Sequence, residues 1–251
     1  MKVSVKTLVI VIVFLRILGI IYGHDDPFKD TDHDGVPDKY DTAPNDPNVY
    51  TLNSQFWNEY KADNAFGSKN QEGTIVYEIY YGNYSSYDCA DVAILMFKKF
   101  CERRNIDPSV LALKDTSGKE WTLDNDEQWK AHLDTWALMN DGDKQNVSVL
   151  VSDRQPPGDT SVIFNDSRVK VGAIILIKAP SGYHNHTMTI IQKPAIGGLT
   201  VFFGTMSGPR YQKAFANSTE LNYYITHELY EGNNNWTLNR CGYFINPTKS
   251  Q

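Results

Sequence analysis

Three apolar runs in the second half of the chain limit the fold more than any other feature. They are VGAIILIK at 171–178, TMTIIQ at 187–192 and LTVFFG at 199–204. Each has strand length, is rich in β-branched or aromatic residues, and is bounded by turn formers. Gly197 and Gly198 lie between the last two and predict a hairpin. One strong helical pattern precedes them at 88–104, opening on DCADVAILMFKKF, and a strand-like run, TIVYEIYY, covers 74–81. Residues 105–168 are polar and Trp-containing, with a helix predicted at 124–139 and a short strand at 147–151. Aromatic-rich segments at 222–230 and 241–245 close the domain. A helix followed by antiparallel strands predicts an α+β domain over 51–251.

Composition supports a packed core: 41% of the 251 residues are hydrophobic and 12% aromatic. A net charge of -6 supplies no basic stripe, so nucleic acid is not an expected partner. Residues 1–23 carry Lys2 and Lys6 ahead of an apolar run that Arg16 interrupts, which is short for a membrane span of about 20 residues. The expectation is a signal peptide ending near Gly23, with an uncleaved anchor as the alternative. Either predicts a secreted or periplasmic protein, membrane-attached in the second case. Three cysteines in such a compartment predict one disulfide, Cys101–Cys241, and a free thiol at Cys89; three reduced, buried thiols are the alternative.

Residues 24–50 differ from the rest of the chain. Asp30, Asp32, Asp34, Asp38 and Asp41 follow the spacing D-x-D-x-D-G-x-x-D-x-x-D, with Gly35 at the sixth place. Alternate carboxylates, the Val36 carbonyl and a glycine for the sharp turn suit a calcium ion with six to eight oxygens. This core and its tail, DTAPNDPN, resemble a thrombospondin type 3 repeat over residues 30–48, with Ala43 where many such repeats have cysteine. The resemblance implies a calcium-ordered spacer or stalk.

The chemistry is concentrated around Cys89. Asp88 is a good N-cap and Asp91 completes a capping box, which puts Cys89 in the first helical turn. A helix N-terminus favours thiolate; the charge of Asp88 opposes it, so a histidine is needed. His24 and His33 belong to the N-terminal segments, His132 to the helix predicted at 124–139 and His227 to an aromatic stretch. His184 and His186 lie in SGYHNHTMTIIQK, where alternation puts His186, Met188 and Ile190 on one face, expected to be the face under the helix. His186 is the expected base, and His184 shares its parity further out in the turn. Thr205 is the expected orienting residue, with Ser207 as the other candidate.

An Asp-Cys helix start, then VGAIILIKAPSGY, then HTMTII, resembles the NlpC/P60 branch of the papain-like cysteine hydrolases. The resemblance implies a helix packed on an antiparallel sheet, cysteine as nucleophile, histidine as base, and amide cleavage in peptidoglycan stem peptides. Ala90-Asp91 replaces the usual Ser-Gly, and the long Cys-to-His separation makes 105–168 an insertion near the cleft. A transglutaminase-like reading lacks its His-Ala-Trp-type strand, and zinc at Cys89, His184 and His186 lacks a second ligand cluster. The plainer alternative is a secreted calcium-binding recognition module in which Cys89 is inert.

Overall fold

A computed structural model describes residues 26–115, 117–127, 146–148, 150–152, 159–180, 185–205, 209–229 and 236–245. The protein is α+β. Helices α1 (Ser54–Tyr60), α2 (Ile75–Tyr81) and α3 (Cys89–Glu102) come first, followed by a small hairpin, β1 (Ala112–Lys114) and β2 (Glu120–Thr122). The remaining elements are β3 (Val151–Ser152), α4 (Ser161–Asn165), β4 (Ile174–Lys178), β5 (His186–Gln192), β6 (Leu199–Gly204), β7 (Arg210–Phe215), α5 (Ser218–Tyr223) and β8 (Thr237–Gly242). A π-helical turn, Tyr224–Glu228, follows α5 directly. Strands β3 to β8 make one antiparallel sheet in the order β3-β8-β4-β5-β6-β7.

Capping explains the helix starts. Asn53 accepts from the N–H groups of Gln55 and Phe56, Thr74 from Tyr77, and Asp88 from Ala90 and Asp91. The run at 74–81 is helix where a strand was expected. Ile75, Val76 and Ile79 share one helical face and are buried, while Glu78 reaches Lys99 on α3 and Arg103 at its C-cap. Packing against α3 overrides β propensity here.

The three apolar runs are strands as expected: β4 starts three residues later, β5 one residue earlier, and β6 matches its expected bounds. Val147 forms only a bridge to Phe244; the strand in that region is Val151–Ser152. The last strand, at 237–242, overlaps the start of the aromatic-rich segment at 241–245. The helix expected at 124–139 lies outside the described residues from 128 onward, as does the signal segment at 1–23.

The sheet has two differently covered faces. On one, Gly204 and Phe202 face α3 and α2: a Cβ on Gly204 would stand 2.8 Å from the Asp88 carbonyl oxygen, and Phe202 lies 6.5 Å from the Tyr80 ring. On the other, Phe203 meets His186 at 5.1 Å, Tyr211 at 5.6 Å and Tyr224 at 6.3 Å. The histidine therefore stands on the face opposite α3, which corrects the alternation argument.

Two further expectations are corrected. Cys101 and Cys241 do not pair; all three cysteines are buried free thiols. Cys101 sits beside Tyr60 in the core, Cys241 near Lys193 and Asp166, and burial pushes both thiols up. The acidic segment is docked on the domain, not held off it as a stalk. Val36 and Tyr40 are only 1% and 3% exposed, and Tyr40 packs edge-on to Phe56. The Asp107 N–H donates to the Gly35 carbonyl at 2.8 Å, and the Asn53 N–H donates to the Tyr40 carbonyl at 2.8 Å.

Candidate functional sites

The acidic loop folds inward through its own carboxylates. Asp30 accepts from the N–H groups of His33 (2.7 Å) and Gly35 (3.0 Å), and Asp34 accepts from Val36 (2.8 Å). Gly35 turns the chain at φ +92°, where any Cβ would also crowd Asp107 at 3.0 Å. One oxygen each from Asp30, Asp32 and Asp34 lie within 4.8 Å of one another, a group that could hold a metal ion.

Asp41 is close enough to repel Asp34 and Asp32. One oxygen each of Asp32, Asp34 and Asp41 is buried without a hydrogen-bond partner. Burial, then the charges of Asp32, Asp41 and Asp30, push the Asp34 carboxyl up to about 6. Asp38 does not join the group. Its carboxylate accepts from the Thr31 N–H and hydroxyl, both at 2.7 Å, and stands 3.4 Å from Lys29. Among the expected ligands, then, Asp30, Asp32, Asp34 and Asp41 gather while Asp38 staples the loop. Val36 adds an apolar anchor, its N–H spent on Asp34.

The second site is a pocket of about 530 Å³ where the first residue of α3 meets the start of β5 and the end of β6, lined by Cys89, His186, Phe203, Thr205, Lys213 and Glu228, among others. The capping box of Asp88 and Asp91 fixes the start of α3, so Cys89 reaches the pocket at the start of β5 and the end of β6. Both key residues are nearly closed to solvent, Cys89 4% exposed and His186 6%.

Burial dominates their chemistry. It pushes the Cys89 thiol up, Asp88 adds to this, and the backbone N–H groups of Thr187 and Ala90 only partly offset it. Burial alone pushes His186 down to about 3. Both groups are therefore neutral near pH 7, with the proton on sulfur. The His186 Nε2 is buried and has no hydrogen-bond partner among the described residues.

Thr205 lines the pocket, but its hydroxyl donates to the Pro209 carbonyl at 3.2 Å rather than to the imidazole. His184 and Ser207 lie outside the described residues. The far wall was not anticipated. Lys213 and Glu228 form a 2.6 Å ion pair, Lys213 stands 4.1 Å over the Tyr224 ring, and Tyr211 stacks on Phe203. The alternation of Tyr211, Lys213 and Phe215 in RYQKAF was the available signal. That Tyr224 and Glu228 would meet this face depends on a π turn, which no sequence pattern here encodes.

The fold and sites together define an α+β protein with an acidic loop suited to a cation and a thiol–imidazole pocket. Comparison with protein-family models, curated proteins and solved structures yields no match to this chain.

Proposed function

We propose that the protein is an exported cysteine hydrolase of the NlpC/P60-like, papain-like type, cleaving amide bonds in peptidoglycan stem peptides, with calcium ordering its N-terminal loop. The observation that supports this reading is that a helix-opening cysteine and a histidine almost a hundred positions later line one pocket. In the proposed reaction the Cys89 sulfur attacks the amide carbonyl carbon as its proton passes to the imidazole of His186. The C–S bond forms; the C–N bond then breaks, and the amine leaves with the proton returned by His186. Water, deprotonated by the same imidazole, hydrolyses the thioester and restores the thiol. The Cys89 N–H is one candidate oxyanion donor. Because the pair is neutral at rest, transfer accompanies attack and no thiolate is stored.

For calcium, the support is the set of orphaned carboxylate oxygens on Asp32, Asp34 and Asp41 beside Asp30, hard donors whose repulsion a divalent cation would cancel. The cation would order the loop and take no part in the reaction.

The test is digestion of purified peptidoglycan followed by mass analysis of the fragments. Wild type should release cut stem peptides, and Cys89→Ala and His186→Ala should each lose at least about 10³-fold in rate while keeping the wild-type circular dichroism spectrum. Undiminished cleavage by Cys89→Ala would remove the mechanism. The burial of both groups favours one rival, a calcium-binding recognition module whose Cys89 is inert, and no cleavage of any peptide substrate by wild type would select it.

A further inference from the structure

A second cleft, of about 550 Å³, lies between the C-terminal end of α1 and the chain around β8, lined by Trp57, Lys61, Ser148, Arg168, Lys170 and Tyr243, among others. It shares no lining residue with the thiol pocket. In a chain of net charge -6, this cleft gathers cations. Arg168 is already satisfied, held by Asp166 through its Nε and Nη2 at 2.6–3.1 Å. Lys61 and Lys170 are not: among the described residues neither ammonium group has a carboxylate partner. Lys61 instead sits over two rings, 4.3 Å from the Tyr243 centroid and 5.8 Å from that of Trp57. Burial and the charge of Lys170 both push Lys61 below its ordinary value, so the pair is mutually repelling as it stands.

Hydrogen bonds and ring contacts tie the frame that holds them. The Tyr243 hydroxyl donates to the Arg168 carbonyl at 3.0 Å and accepts from the Lys170 N–H at 2.7 Å. Trp57 is stacked on Phe97 at 6.2 Å, one ring face against the core. The Ser148 oxygen accepts from the Tyr243 N–H at 3.0 Å, and among the described residues its hydroxyl donates to none.

We propose that this cleft binds a phosphate monoester, with Lys61 and Lys170 facing the dianion and the Ser148 hydroxyl donating to it. Two uncompensated ammonium groups match a dianion, whereas a single carboxylate would leave one of them unbalanced. The aromatic floor of Trp57 and Tyr243 gives the ester's carbon skeleton a surface, so a sugar phosphate should bind more tightly than inorganic phosphate.

Titration calorimetry of the full chain at low ionic strength tests this with inorganic phosphate, acetate, glucose 6-phosphate, and phosphatidylcholine vesicles doped with phosphatidic acid. Phosphate should bind at least about tenfold more tightly than acetate and weaken as salt is raised. Lys170→Gln, at an exposed position, and the Lys61→Gln/Lys170→Gln double variant should weaken it about tenfold or more, while Lys213→Gln in the other pocket should leave it unchanged. Equal affinity for acetate and phosphate, or unchanged phosphate binding by the double variant, would overturn the proposal. So would binding to vesicles alone, since that would mean a membrane surface and not a soluble ester is the ligand.

Discussion

The acidic loop and the thiol pocket both withdraw ionisable groups from water, and they meet the cost in opposite ways. In the pocket, a thiol that is pushed up and an imidazole that is pushed down settle as two neutral groups, which burial tolerates. The loop has no such escape. Asp34 rises only to about 6, and Asp41 is raised as well, so at neutral pH the cluster stays largely charged and self-repelling. A site that can neutralise itself needs no partner at rest; a site that cannot keeps a repulsion that a bound cation would cancel. On the proposed reading, the contrast separates a region whose chemistry would wait for a substrate from one whose stability would wait for a cation.

The sharpest way to break this contrast is the thiol's reactivity toward iodoacetamide. With the thiol pushed up and the imidazole neutral above about pH 3, alkylation of Cys89 should be slow at pH 7 and rise close to tenfold per pH unit, about 100-fold by pH 9. A rate already at its plateau between pH 5 and 8 would mean a stored thiolate–imidazolium pair, and the neutral description of the pocket would fall. Peptide mapping must assign the label, because Cys101 and Cys241 are buried thiols as well.

The loop should respond to calcium instead. At a free concentration about 100 times the dissociation constant, binding adds about 2.7 kcal/mol, or roughly 5–10 °C in melting temperature for a domain of this size. The pH dependence without calcium has a definite sign. The Asp34 carboxyl is higher in the folded than in the unfolded chain, so its contribution is fully present below about pH 4 and is lost as pH rises through about 6. Chelated protein should therefore lose stability from pH 4 to 7 through this group, and saturating calcium should reverse that slope. Asp34→Asn should raise the melting temperature of the chelated protein at pH 7 and abolish most of the calcium response. A chelated wild type as stable at pH 7 as at pH 4, with no calcium response, would mean the cluster is solvated and indifferent.

The parts of the molecule legible in the sequence are those fixed by short-range rules. The Asp88 cap, the strand runs and the Gly35 turn each follow from a few neighbouring residues, and the structure forms all three. Long-range geometry is where the sequence falls short. The run at 74–81 has strand composition, yet a threonine cap and contacts from α3 make it helix. Parity along β5 correctly groups His186 with Met188 and Ile190 but cannot say which face meets α3; that depends on Gly204 one strand away. The pocket's Lys213–Glu228 wall joins residues from a strand and a π turn, and the anchoring of Val36 and Tyr40 depends on partners at 53–59 and 107. Asp38 shows the finer limit: a position that fits a ligand spacing is spent on Thr31.

Gly204 gives the smallest effect and the cleanest separation of the two regions. Its absent side chain lets the first turn of α3 rest directly on β6, with the Asp88 carbonyl oxygen 2.8 Å and a Val92 methyl 2.9 Å from where a Cβ would stand. Neither neighbour can yield cheaply, since one is backbone and the other belongs to the packed helix. Gly204→Ala should therefore lift the N-terminus of α3 by a few tenths of an ångström and cost about 1–3 kcal/mol. The displacement falls on Cys89, so alkylation at pH 7 should quicken as the thiol gains solvent. The acidic loop docks at the other end of α3, near Asp107 and Val110, so the calcium-dependent rise in melting temperature should be unchanged in size. A variant in which the calcium response shrinks along with the stability would show that helix α3 couples the two regions, and that one cannot be perturbed without the other.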